Sequence, residues 1–264
     1  MDLGLKDKVV MVAASSKGLG YGIARQAAVE GAKVALASRH MHNIQEAAQS
    51  LISELPEAKI FTCTLDVADP ISIETWVHAT LMEFGTIDML VVNGGGPPPG
   101  TFDELDDVTW HTGYENTLMS AVRLIRAVLP EMRRKKSGSI LTVTSSSFKE
   151  PIDGLLLSNV FRSGVTNLVK SLSFQLAEDQ IRINNLVPGF FDTERLQELD
   201  LRNSREWRLS LENVQKINKD KIPMGRYGDP VEFGKAAVFL LSDAASYVTG
   251  ETFIIDGGKM RTVW

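Results

Sequence analysis

Seven short apolar runs, separated by stretches of helical periodicity, narrow what this chain can fold into more than any other feature of its 264 residues. The runs lie at 8–14, 33–38, 59–67, 88–93, 139–145, 181–187 and 251–258, and several are rich in valine. Apolar throughout, runs such as 8–14 and 33–38 are what strands buried on both faces require. Between them, 21–32, 41–55, 70–85, 107–132, 155–178 and 229–243 carry apolar residues at helical spacing. In the longest, Leu118, Ala121, Val122, Ile125, Val128 and Leu129 share one face. Asp69 and Pro70 read as an N-cap and a first helical residue. Strand–helix alternation of this kind predicts an α/β fold: one doubly wound parallel sheet of about seven strands, with helices on both faces. No linker or internal repeat interrupts it, so residues 1–264 are read as a single Rossmann-type domain.

Bulk properties exclude several functions. The net charge of −5 offers no polyanion-binding face, so no nucleic-acid partner is expected. The basic run Arg133-Arg134-Lys135-Lys136 is read as a solvated helix end, favoured by the helix dipole. No stretch approaches the ~20 apolar residues of a membrane span, and no signal peptide is evident. The single cysteine, Cys63, cannot form an intrachain disulfide, and its apolar run makes it a packing residue. His40, His42, His78 and His111 show no metal-ligand spacing, so no metal is expected. A cytoplasmic location is the expectation.

The turn between the first strand and the first helix carries the first chemical signal. Ser15, Ser16, Lys17, Gly18, Leu19 and Gly20 join them. Two glycines there permit a tight turn and close approach of a ligand, and the helix N-terminus suits a pyrophosphate. The second strand ends in Ser38-Arg39, with no acid to bind an adenine-ribose hydroxyl. Arg39, with Lys17, suits a 2′-phosphate and favours NADP(H) over NAD; solvated surface charges are the alternative. The charged segment 193–221, within a stretch of about 190–225 on the substrate side, reads equally as a cover over a ligand crevice or as a surface helical excursion.

On these motifs the chain resembles the short-chain dehydrogenase/reductases along essentially its whole length. The family's first glycine motif reads Ala13-Ala14-Ser15-Ser16-Lys17-Gly18-Leu19-Gly20, with Ala14 in place of the first glycine. The resemblance assigns cofactor contacts to Asp66 and Val67, to Asn93-Gly94-Gly95, and to Pro188-Gly189 with Thr193. The catalytic Asn, Ser, Tyr and Lys of the family fall on Thr117, Ser145, Ser158 and Arg162, so three of the four positions differ. Asn116, next to Thr117, would face another way on a regular helix. The segments Leu157-Ser158-Asn159-Val160-Phe161-Arg162 and Gly95-Gly96-Pro97-Pro98-Pro99-Gly100 are similar to a divergent 3-oxoacyl-(acyl carrier protein)-reductase-like subgroup.

The resemblance implies hydride transfer between NADP(H) and a small-molecule carbonyl or alcohol, with Ser145, Ser158 and Arg162 as the catalytic set and Arg162 also touching cofactor. A serine is a poor replacement for a phenol of pKa ~10, so Tyr114, Lys149, Glu150 or a water are candidates to supply the proton. Loss of the ring leaves space for a larger substrate, or for neighbouring side chains. An NADP(H)-binding protein without hydride chemistry, acting as sensor or scaffold, is the alternative. The helices at 107–132 and 155–178 imply a homodimer or homotetramer.

Overall fold

The structure, a computed structural model, describes residues 2–263. Seven parallel strands form one sheet in the order β3-β2-β1-β4-β5-β6-β7. They are β1 (Val9–Ala13), β2 (Lys33–Ser38), β3 (Lys59–Thr64), β4 (Met89–Val92), β5 (Gly138–Val143), β6 (Ile181–Pro188) and β7 (Thr252–Ile255). Alternate side chains of the inner strands enter two separate cores. On one face, Val10, Val12, Val34 and Leu36 pack under α1 (Gly18–Val29), α2 (Met41–Glu54) and α9 (Pro230–Leu241). On the other, Met11, Ala13, Ala35 and Ala37 pack under α3 (Pro70–Phe84), α5 (Ser120–Lys135) and α6 (Leu156–Leu176). Burial on both faces is why these strands read as unbroken apolar runs.

Local signals set several boundaries as expected. Asp69 accepts from the Ile71 amide to start α3, and Gly85 ends that helix in the left-handed region (φ 77°). Lys136 ends α5; Arg133 and Arg134 are exposed and pair with Asp179 and Glu131, whereas Lys135, contrary to a fully solvated helix end, turns inward onto Asp88. Cys63 is half-buried against the second core, and burial pushes its thiol pKa up.

Two regions differ from the expectation. The helix expected over 107–132 is not regular: α4 (Asp107–Tyr114) passes through a π-helical turn (Glu115–Met119) into α5. The wider turn changes which side chains face α6, as such turns often do at functional sites. The segment 193–221 folds as two capped helices, α7 (Glu194–Trp207) and α8 (Leu211–Asp220). A fully buried carboxylate, Asp200, braces them by accepting from Asn218 Nδ2 at 2.8 Å and Tyr227 Oη at 2.9 Å. Burial and this carboxylate hold the Tyr227 phenol far above its ordinary pKa.

The sheet order reverses between β1 and β4, which opens a crevice at their carboxyl ends. The turn leaving β1 there holds Ala14 at φ 49°, a conformation costly to any residue with a Cβ. Ala14→Gly is expected to stabilise the protein by about 1 kcal/mol, the released strain exceeding the added chain entropy of glycine. Urea unfolding of the two proteins measures this; an unchanged or lower midpoint contradicts it.

Candidate active site

The crevice at the strand reversal is a cavity of about 790 Å³. Its floor is the turn entering α1, where Lys17 caps the helix without a side-chain hydrogen bond and no acid occupies the first turn. The first amides of α1 therefore keep their capacity for an anion. A Cβ at Gly20 would lie 2.3 Å from the Ala14 carbonyl oxygen, so only glycine allows this turn to close. Asn93 braces the floor, its Nδ2 donating to the carbonyls of Ala13 and Ala14, each at 3.2 Å.

Ser16, Lys17, Gly18, Leu19, Gly20, Arg39, Val67, Asn93, Gly94 and Gly95 all line this cavity. Arg39 is exposed at its edge, with no ion pair among the described residues. Lys17 is not free as expected: it pairs with Glu194 at the start of α7. Both side chains are well exposed, so this ion pair is weak and open to competition. Because α7 approaches the cavity through Glu194 and Thr193, the cover reading of the segment gains over the surface excursion.

Other assigned residues do not line the cavity. Ser15 is buried, its hydroxyl accepting from the Ala37 amide at 3.1 Å, so its side chain ties β1 to β2 and does not face a ligand. Asp66 turns its carboxylate onto the Ala68 amide. Pro188 ends β6, and the Gly189 amide donates to Ile255. Gly94, Gly95 and Gly96 are different: a Cβ on any of them would have no atom within 4 Å, and none has a positive φ. Neither packing nor backbone strain demands glycine there, whereas a ligand passing close to the chain does. With the uncapped helix end and the open Arg39, these residues fit a phosphorylated dinucleotide.

The expected catalytic positions gather where β5, α6 and the π turn meet. Ser145, at the end of β5, accepts from the Ser147 amide at 3.2 Å. Ser158 does not stand open in the crevice. It is 8% exposed, and its hydroxyl lies 3.0 Å from that of Ser147, a partner the sequence reading missed. Its side chain is thus largely enclosed at this corner. Arg162 donates through Nη1 to the Val143 carbonyl at 2.7 Å and reaches Gly95 through Nη2 at 3.4 Å.

Thr117 is buried with its hydroxyl unpartnered, while Asn116 lines the cavity, contrary to the regular-helix expectation. The π turn is the reason, and strand-and-helix periodicity carries no signal for it. Tyr114 packs beside Phe161 in a cluster with Trp110, as a packing tyrosine. Lys149 and Glu150 follow the 3₁₀ turn after Ser145; Glu150 accepts from the Arg261 amide.

The two unusual sequence segments interlock. The Gly100 amide donates to the Gly154 carbonyl at 2.7 Å, and Asn159 clamps Ile152 through both its side-chain atoms. Arg162 reaches back to Gly95. The proline loop and the start of α6 therefore form one unit.

Comparisons with known proteins agree with this architecture. A family model described as enoyl-(acyl carrier protein) reductase matches residues 13–259. The 3-oxoacyl-(acyl carrier protein) reductase FabG of Chlamydia trachomatis is 31% identical over 96% of this chain and 98% of its own. The L-sorbose reductase of Gluconobacter frateurii, solved with NADPH and L-sorbose, superposes with a TM-score of 0.95 at 30% identity, covering all of both chains. A Pseudomonas aeruginosa short chain oxidoreductase, solved with NADPH and described as containing an atypical catalytic center, superposes at 0.88 with 27% identity over 98% of this chain and all of the other. With a family model matching residues 13–259 and a relative 31% identical over nearly the whole chain, the chain belongs to the short-chain dehydrogenase/reductase family.

Proposed function

We propose that this protein is an NADP(H)-dependent oxidoreductase that interconverts a small carbonyl compound and its alcohol, in the manner of a 3-oxoacyl reductase with an altered proton-transfer site. The observation that carries the reading is the cavity itself: an uncapped helix N-terminus, a glycine wall that nothing in the protein requires, and an unpaired Arg39 where a 2′-phosphate would lie. NADPH-bound relatives of the same fold support it.

Bound NADPH supplies a hydride to a carbonyl carbon. The amides of α1 hold the pyrophosphate, and Arg39 grips the 2′-phosphate through charge-assisted hydrogen bonds. Ser145 keeps its hydroxyl proton available to orient the carbonyl oxygen. Arg162 places a positive charge at the same corner. Buried and without an acid beside it, its guanidinium is pushed down to about 10, yet it stays charged at neutral pH. Ser158, turned onto Ser147, is too weak an acid to replace a phenol. The reading therefore requires a proton donor other than Ser158. The enclosed Ser158 favours one rival, a nucleotide-binding protein with no hydride chemistry.

Arg39→Ala is expected to weaken NADPH binding roughly ten- to a hundredfold, the worth of about 1.5–3 kcal/mol for hydrogen bonds to a charged group, and to leave NADH binding unchanged. Calorimetric titration measures both. NADPH oxidation with a panel of carbonyl compounds tests the activity. Tight NADPH binding with no turnover at high enzyme concentration speaks for the sensor instead.

Self-association belongs to the same proposal. Val108 on α4 and Phe174 on α6 are each 73% exposed, on the elements expected to pair. Light scattering in solution should give a dimer or tetramer mass; a monomer refutes the pairing.

A further inference from the structure

Arginine and lysine side chains that carry their charge into partly buried places solve the problem differently here. Arg123 and Lys135 have carboxylates, Glu115 and Asp88. Arg182 has none in contact but donates to four carbonyls, those of Leu240, Leu241, Ser242 and Val248, at the negative end of α9. Arg162 has neither solution. Of its five N–H donors, one is well engaged, at 2.7 Å on Val143, and a second is stretched to 3.4 Å on Gly95. Its Nε is buried with no partner. No acid pairs with it among the described residues. An enclosed guanidinium in this state is costly until a negative partner arrives.

The surroundings leave room for that partner on one side. The Nη2 edge meets solvent beside Gly95, where the 94–96 backbone has no neighbour within 4 Å of a would-be Cβ. Ser145 lies just beyond Val143, at the end of the same strand. Neutral hydroxyls could fill the free donors but would leave the charge uncompensated. A carboxylate satisfies both, because two parallel N–H groups match its two oxygens.

We propose that Arg162 receives the carboxylate of the substrate, and that the substrates of this site are oxo acids whose carboxylate lies close to the reacting carbonyl. This rests on the NADP(H)-dependent reading above. The anion both anchors the substrate and neutralises the buried guanidinium, so an acid and its neutral ester should differ sharply although their carbonyls are the same.

The test uses the full chain saturated with NADP⁺, with acetoacetate and methyl acetoacetate as probes, followed by calorimetry. Acetoacetate is expected to bind at least tenfold more tightly than the ester. Arg162→Met should abolish that preference, and Arg162→Lys, which keeps the charge and loses the fork, should retain part of it. NADP⁺ affinity and the melting temperature of each variant report whether the fold and the nucleotide site survive. Equal binding of acid and ester to the native protein overturns the proposal, as does a preference that persists in Arg162→Met. So does a fall in NADP⁺ affinity on Arg162→Met with the acid-to-ester ratio unchanged, which would put the guanidinium on the cofactor. Failure of the native chain to bind NADP⁺ at all refutes the underlying cofactor reading, a result visible before either probe is added.

Discussion

The amide of Asn93, donating to the carbonyls of Ala13 and Ala14, holds the end of β4 against the turn leaving β1. The rest of the site depends on this contact. It fixes the turn at the point where the sheet order reverses, and so fixes where the free amides of α1 point. The cost is visible in Ala14, whose backbone takes a conformation better suited to glycine. From the same place the chain leaves β4 into the glycines and prolines of 94–100, so one side chain sets both the floor and one wall of the cavity.

Away from the nucleotide end, the structure is organised by an exchange of parts. The start of α6 and the proline loop bind one another through Gly100 with Gly154 and through Arg162 with Gly95. Arg162 spans from the Val143 carbonyl at the β5 end to Gly95 in this loop. One turn earlier, Ser158 is enclosed against Ser147. These contacts belong together: the fork of Arg162 has carbonyls to hold only because the loop lies where it does. The helices α7 and α8 are a separate unit, braced by Asp200; at the start of α7, Glu194 pairs with Lys17 and the Thr193 side chain lies beside Gly18.

How much of this could be read from the sequence follows from what each residue's environment is made of. The run Lys33–Ser38 is apolar because both faces of β2 are covered, so its position was legible to the residue. Asp69-Pro70 and the glycine turn are local chemistry and were equally legible. The π turn at 115–119 was not. A single extra residue in a helix leaves no periodic trace, and so Asn116 was set aside although it lines the cavity. Ser147, Glu194 and the unmatched charge of Arg162 were also hidden. Each depends on which group stands opposite in space, across many residues of chain, and no spacing rule reports an absent partner.

The central claim is that the proposed hydride chemistry takes place at a site where Ser158 is enclosed and Arg162 carries the positive charge. The direct measurement is a single turnover with NADPH deuterated at the transferable C4 position, in the presence of an oxo-acid pool, followed by mass spectrometry of the alcohol formed. Deuterium on the former carbonyl carbon is the predicted result. Bound, unreacted NADPH with no labelled alcohol at enzyme in excess over nucleotide would contradict it.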